Sequence, residues 1–200
     1  VSYTATGSNA TVGHGLGSAP QLVIIKDRDV IRDWIVGNTA TGFDKYLLLN
    51  SNDASTTSSN KFQDTAPSSS VITIGTHGYV NNSGSDYIAY CFAEKKGYSK
   101  IGSYTGNGST DGTFIYTGFH VRWVLIKRTN GTNGWYIYDT TRDPSNQNTK
   151  ALIPNETDTE QDESGMDLLS NGFKLRNTDG SKNGSSNSYI YMAFAESPLV

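Results

Sequence analysis

The sequence predicts an all-β protein, an antiparallel sandwich built from two pseudo-symmetric repeats. Three observations carry this. Short β-branched runs are bounded by turn residues, as in QLVIIK (21–26) and WVLIK (123–127). Gly, Ser, Thr and Asn are abundant where a helical protein would carry Leu, Ala, Glu and Lys. The end of the chain, SYIYMAFAE at 188–196, echoes DYIAYCFAE at 86–94.

The echo extends without gaps over 71–94 and 173–196, where nine of 24 positions are identical. Among them are Asn81/Asn183, Tyr87/Tyr189, Phe92/Phe194 and Glu94/Glu196. The front halves match at an offset of 101, with Tyr3/Tyr104, Gly17/Gly118, Lys26/Lys127 and Trp34/Trp135. A repeat of this kind is the first thing to settle, because it fixes the architecture. The copies span about 3–94 and 104–196, joined by a short link at 95–103. Two outcomes follow: each copy is its own small sandwich, or the copies are halves of one sandwich over 1–200. The second is favoured, since an all-β domain of this length is ordinary.

Further strands are expected at 33–37, 46–50, 70–75, 134–139 and 173–177. In the repeated strand, Tyr87, Ala89, Cys91 and Ala93 share one face, and Ile88, Tyr90 and Phe92 the other. Both sets are largely apolar, so the strand is expected to be central and covered on both sides. The best helical candidate is a turn or two within 160–170.

Composition excludes several classes. The 12 Tyr, 7 Phe and 3 Trp are too many for a disordered tail. A net charge of −3 offers no basic face for nucleic acid. No apolar run reaches the length of a membrane span, so no membrane insertion is expected. A single cysteine, Cys91, allows no intramolecular disulfide; its partner in the repeat is Ala193, which predicts a buried, inert side chain. The chain starts at Val1 rather than Met, which reads as a processed product or a fragment of a longer chain.

Catalytic signals are weak. His14, His77 and His120 lack a metal-binding spacing and read as surface or edge residues. Glu94 and Glu196 are explained as equivalent strand ends, pairing with Lys26 or Lys127. The acidic segment 156–167 does not follow the EF-hand pattern and reads as a solvated loop. No catalytic residue, metal site or cofactor is called for. The candidate ligand-binding residues are His77, Tyr79, Asn81, Asn130 and Asn133, in Asn/Gly-rich loops beside aromatic or charged side chains. The loops 38–45, 76–86, 129–134 and 177–188 are the best recognition surfaces, and Tyr98 and Tyr116 are alternative stacking residues.

Five strings carry a resemblance: HGLGSAP (14–20), YIAYCFAEKKGYSKIGSYTGNG (87–108), YTGNGSTDGTFIYTGFHVRWVLIKR (104–128), LSNGFKLRN (169–177) and YIYMAFAE (189–196). They resemble domains of tail-fibre and other structural proteins of marine bacteriophages, especially those of cyanobacterial hosts. The resemblance covers nearly the whole chain. It departs at Gly118-Phe119-His120-Val121, where the related pattern Gly-Phe-x-Pro places a proline. It implies a lectin-like jelly roll, no catalytic residues, and a place on the virion in a tail or other external appendage. It also implies a homo-oligomer, a trimer, assembled with other virion proteins and recognising a host-surface glycan or receptor. The apolar residues Pro198-Leu199-Val200 add slight support for assembly. A capsid decoration or head-fibre protein, and a glycan-degrading enzyme, are the alternatives.

Overall fold

A computed structural model describes residues 1–197 of the chain. Pro198-Leu199-Val200, cited above for assembly, lie outside the described residues. The chain divides into two compact units. Unit one comprises Val1–Asn50 and Ser55–Ala93; unit two comprises Ser51–Ala54 and the chain from Glu94 onward.

Unit one holds β1 (Ser2–Thr4), β2 (Ala10–Gly13), β3 (Leu22–Asp27), β4 (Ile35–Asn38), β5 (Gly42–Leu48) and β6 (Thr56–Thr57), then α1 (Ser59–Phe62), β7 (Val71–Ile74), α2 (Gly78–Asn81) and β8 (Asp86–Phe92). Its larger sheet runs β1-β8-β3-β4-β5-β6, and β2 pairs with β7 in a two-stranded ribbon. Val23, Ile25, Ile35, Phe43, Phe62, Ile72, Ile74, Val80 and Tyr87 form its core. Burying each such side chain is worth about 1.5–3 kcal/mol.

Unit two holds β9 (Ser99–Thr105), β10 (Phe114–Tyr116), β11 (Val121–Arg128), β12 (Trp135–Asp139), β13 (Asn148–Ala151), β14 (Gln161–Leu169), β15 (Gly172–Leu175) and β16 (Ser188–Ala195). Two four-stranded sheets, β12-β11-β16-β9 and β10-β15-β14-β13, share one core. The first contributes Val124, Ile126, Tyr138, Tyr189 and Tyr191; the second contributes Ile115, Met166, Leu168, Phe173 and Leu175. Every pairing in both units is antiparallel, and each sheet draws its strands from one unit.

The order of pairing β1-β8-β3-β4 recurs as β9-β16-β11-β12. Tyr3 stands opposite Tyr87 and stacks on it, with ring centroids 5.3 Å apart and an interplanar angle of 12°. Tyr104 stands opposite Tyr189 and stacks at 4.9 Å and 14°.

The structure corrects several expectations. The link at 95–103 is not a plain connector, because its second half forms β9. The helical turn expected within 160–170 is the strand β14. Its carboxylates meet cations rather than only water: Asp162 pairs with Lys150 at 2.6 Å, and Asp167 with Arg176 at 2.6 Å. β8 and β16 are both central, but only β16 is buried on both faces; Tyr90 on β8 is exposed. Cys91 is half-buried, not fully enclosed. His14 is buried; its Nδ1 accepts from the Leu16 amide at 3.2 Å while Nε2 lies 3.1 Å from the Ser68 carbonyl. Glu94 forms an ion pair with Lys100, and Glu196 pairs with Arg122 and His120.

Candidate functional site

The segment between β7 and β8 carries three of the expected ligand-binding residues, His77, Tyr79 and Asn81. His77 has extended backbone and caps α2, its Nδ1 accepting from the Tyr79 amide at 3.1 Å. Its ring meets Tyr79 edge to face, 4.8 Å between centroids. Both side chains are half-buried, so each has a packed side and an open side.

Three other parts of unit one converge on Tyr79. Arg32, from the loop after β3, places its guanidinium 5.8 Å from the ring centre. Lys61, from α1, places its Nζ 5.7 Å from it and 4.7 Å from the ring of Tyr46 on β5. These are cation–π distances. Lys61 is only 3% exposed. Its Nζ reaches the Asn60 side-chain oxygen at 3.4 Å, and among the described residues no ion pair neutralises it. Burial therefore pushes its ammonium down to about 8. Burial, followed by the nearby Lys61 and Arg32 charges, also holds His77 below its ordinary value. Arg32 pairs with Asp27 at 3.1 Å. Burial opposes the Asp27 charge, but bonds from Tyr87, the Asp29 and Val30 amides and Arg32 hold its carboxyl below the usual range. The cluster thus gathers two permanent or near-permanent cations and a titratable ring around two tyrosines, against one carboxylate.

The matching place in unit two carries no excess of positive charge. Asp179 stands where His77 stands, and its carboxylate accepts from the Ser181 amide at 2.8 Å. Lys182 is fully buried but lies 3.0 Å from Glu163 and 2.9 Å from Asp179, with its Nζ 4.1 Å from the Tyr136 ring centre. One lysine with two carboxylates there contrasts with a lysine lacking a counter-ion here.

The other expected site residues behave differently. Asn81 is buried and its amide is committed inside the fold: its oxygen accepts from the Thr6 and Gly7 amides, and its nitrogen donates to the Ser8 and Gly75 carbonyls. It presents nothing to a ligand, and the expectation is corrected on that ground. Asn183 makes the same kind of clamp, donating to the Ser109 and Asn177 carbonyls and accepting from Asn107. The identity of this Asn in both copies was the signal for a structural role. Asn130 is exposed and accepts from Arg128 and the Ser188 amide. Asn133 accepts from Arg128 through its side chain and from buried Lys127 through its carbonyl. Both order the 129–134 turn and belong to unit two, whereas the His77 cluster belongs to unit one. Loop 177–188 is largely closed, since Ser181, Lys182 and Asn183 are buried.

Among the described residues no group of three His, Cys, Asp or Glu side chains is placed to hold a metal ion. No helix among them is long and apolar enough to cross a membrane. No curated protein and no solved structure matches the chain. Residues 1–198 match the family described as Domain of unknown function (DUF7483), and the chain belongs to that family.

Proposed function

We propose that this chain is a non-enzymatic recognition module of a bacteriophage virion, in a tail fibre or similar external appendage. In this reading it meets an anionic group on a host-surface glycan or protein through the His77–Tyr79 surface. The resemblance of the chain to phage appendage domains motivates the context. The excess of positive charge around Tyr79 supports the choice of surface and of ligand charge. Two tyrosine rings beside cations suit a ligand with both a flat apolar face and a negative group.

The same reading takes each unit as a copy of one sandwich design, in the manner of a lectin-like jelly roll. The recurring pairing order and the two stacked tyrosine pairs support it. Divergence of His77 and Tyr79 from Asp179 and Ser181 then restricts anion recognition to one copy. Assembly as a trimer with other virion proteins belongs to this proposal.

The test is a glycan array printed with neutral and acidic bacterial surface polysaccharides, probed with the purified chain. The His77→Asn/Tyr79→Ser double variant keeps a capping residue at 77 and takes Ser181's residue type at 79. Selective retention of acidic glycans, lost in the variant with circular dichroism unchanged, supports the reading. Equal binding by the variant removes this surface from recognition. Release of sugar fragments from any polysaccharide overturns the non-enzymatic reading.

A further inference from the structure

We infer that unit two carries a second site of a different kind, a pocket that takes a single pyranose ring stacked on Tyr116. The inference does not rest on the viral reading, because a sugar-ring site would serve a protein of any role.

The pocket is about 380 Å³ and is lined in part by Glu94, Lys96, Gly97, Lys100, Tyr116 and Gly118. Tyr116 lies on β10, which is an edge strand with β15 as its one partner. Alternation along β10 sends Ile115 into the core and leaves Tyr116 65% exposed. A large aromatic side chain that stays open to water beside a concavity forgoes burial that the fold could otherwise have used. Its ring offers the flat apolar surface that the C–H face of a sugar covers.

The polar side is equally specific. A Glu94 carboxylate oxygen and the Lys100 ammonium stand 2.9 Å apart, each partly exposed. An acceptor and a donor at that spacing can engage two adjacent ring hydroxyls, one donating to the carboxylate and the other accepting from the ammonium. The second Glu94 oxygen accepts from the Ile101 amide at 3.2 Å, which fixes the carboxylate in place. The arrangement is not a by-product of the repeat, because Glu196 pairs instead with Arg122 and His120.

Both walls are hydrogen-bonded turns. One is the tight turn at 95–98, where the Tyr98 and Ser99 amides both donate to the Lys95 carbonyl at 2.9 Å. Gly97 supplies its left-handed backbone, φ 74°. The other is the turn at 117–119, with Gly118 at φ 83° and its amide 3.2 Å from the Asn171 carbonyl. Thr117 Oγ1 closes it on the Phe119 carbonyl at 2.8 Å. A preformed pocket spends little ordering entropy on binding. Its size and few convergent polar groups fit a small ligand.

The experiment is amide NMR of the 15N-labelled chain titrated with methyl glycosides of glucose, galactose, mannose and N-acetylglucosamine. Saturable shifts at 94–100 and 116–118 with at least one of the four are expected in the millimolar range. Tyr116→Ala should weaken that binding about tenfold, the scale of one stacking contact. Tyr116→Phe should retain it, and Glu94→Gln should weaken it. Absence of saturable shifts with all four sugars overturns the proposal. So do shifts confined to other residues, or unchanged affinity in Tyr116→Ala with its spectrum otherwise intact. Array binding that responds to the His77/Tyr79 variant leaves this pocket untouched, so the two readings fail separately.

Discussion

The Tyr87 hydroxyl lies 2.8 Å from the Asp27 carboxylate, both groups buried in unit one. It also lies 2.5 Å from the Gly78 carbonyl and accepts from the Asn82 amide at 3.0 Å, so one proton serves two acceptors. Tyr189 repeats part of this in unit two, 2.8 Å from the Gly180 carbonyl and accepting from the Gly184 amide at 2.9 Å. The difference is the charge of the acceptor.

Tyr87→Phe should therefore cost more than Tyr189→Phe. Removing a donor to a buried carboxylate costs about 1.5–3 kcal/mol, against about 0.5–1.5 kcal/mol for neutral partners. Chemical denaturation of the two variants checks the order. Equal losses would show that Arg32 and the Asp29 and Val30 amides alone suffice for Asp27.

Much of the strand layout was legible, and the reason is specific to particular runs. β3, β8, β11 and β16 are β-branched or aromatic segments whose side chains fill the cores. β14 is hidden because its carboxylates look like a solvated loop; only the fold brings Lys150 opposite Asp162 and the Arg176 side chain onto Asp167. β9 is hidden because its first residues, 99–103, are mostly polar or glycine and fall in the link between the copies. At the candidate site, His77 and Tyr79 were visible as a difference between copies. Lys61, Arg32 and Tyr46 come from a short helix, a loop and a strand far apart in sequence, so no local pattern could join them.

Asn81→Ala should destabilise unit one without acting as a binding mutation. It leaves the Thr6 and Gly7 amides and the Ser8 and Gly75 carbonyls without their common partner. A loss of about 1–3 kcal/mol follows from the buried Gly75 carbonyl and the part-buried Thr6 and Gly7 amides left unmet. Asn183→Ala should do the same in unit two. Thermal melts check both, and a silent Asn81→Ala would mean that water replaces the clamp.

The buried lysines set a pH dependence. Lys61 and Lys127 are both pushed down to about 8 by burial, against an ordinary value of 10.5. Between pH 8 and the ordinary value, the unfolded chain holds more protons than the folded one, so stability from these groups rises with pH. Above about pH 10 the buried tyrosines, whose hydroxyls are pushed up, act in the opposite sense. Denaturant midpoints should rise from pH 8 toward 10, and Lys61→Met should flatten the rise. A slope unchanged by Lys61→Met would show that its ammonium stays charged.

Cys91 should react slowly in the native protein. It sits on β8 opposite Val23, packed against the core, and burial pushes its thiol up, which lowers the thiolate fraction. A chromogenic disulfide reagent should label it far faster after unfolding. Cys91→Ala should cost on the order of 1 kcal/mol, since Ala193 already occupies the matching position.

Gly37→Ala tests the packing that distinguishes the two cores. Gly37 stands opposite Val23 in unit one, and Tyr138 stands opposite Val124 in unit two, matching positions of the repeat. Where unit two places a buried tyrosine, unit one leaves no side chain and fills the space with the edge-to-face pair Phe43 and Phe62, 5.2 Å between centroids. A Cβ at 37 would lie 2.7 Å from Phe43 and 2.8 Å from Phe62, closer than carbon atoms pack. Both rings are buried, so neither can swing aside freely. The overpacked core should lose about 1–3 kcal/mol. Gly37→Ala/Phe43→Leu, which removes one of the crowding rings, should lose less than the two single changes added together. Strict additivity in denaturant midpoints would show that the Phe43 ring is not what excludes a side chain at 37.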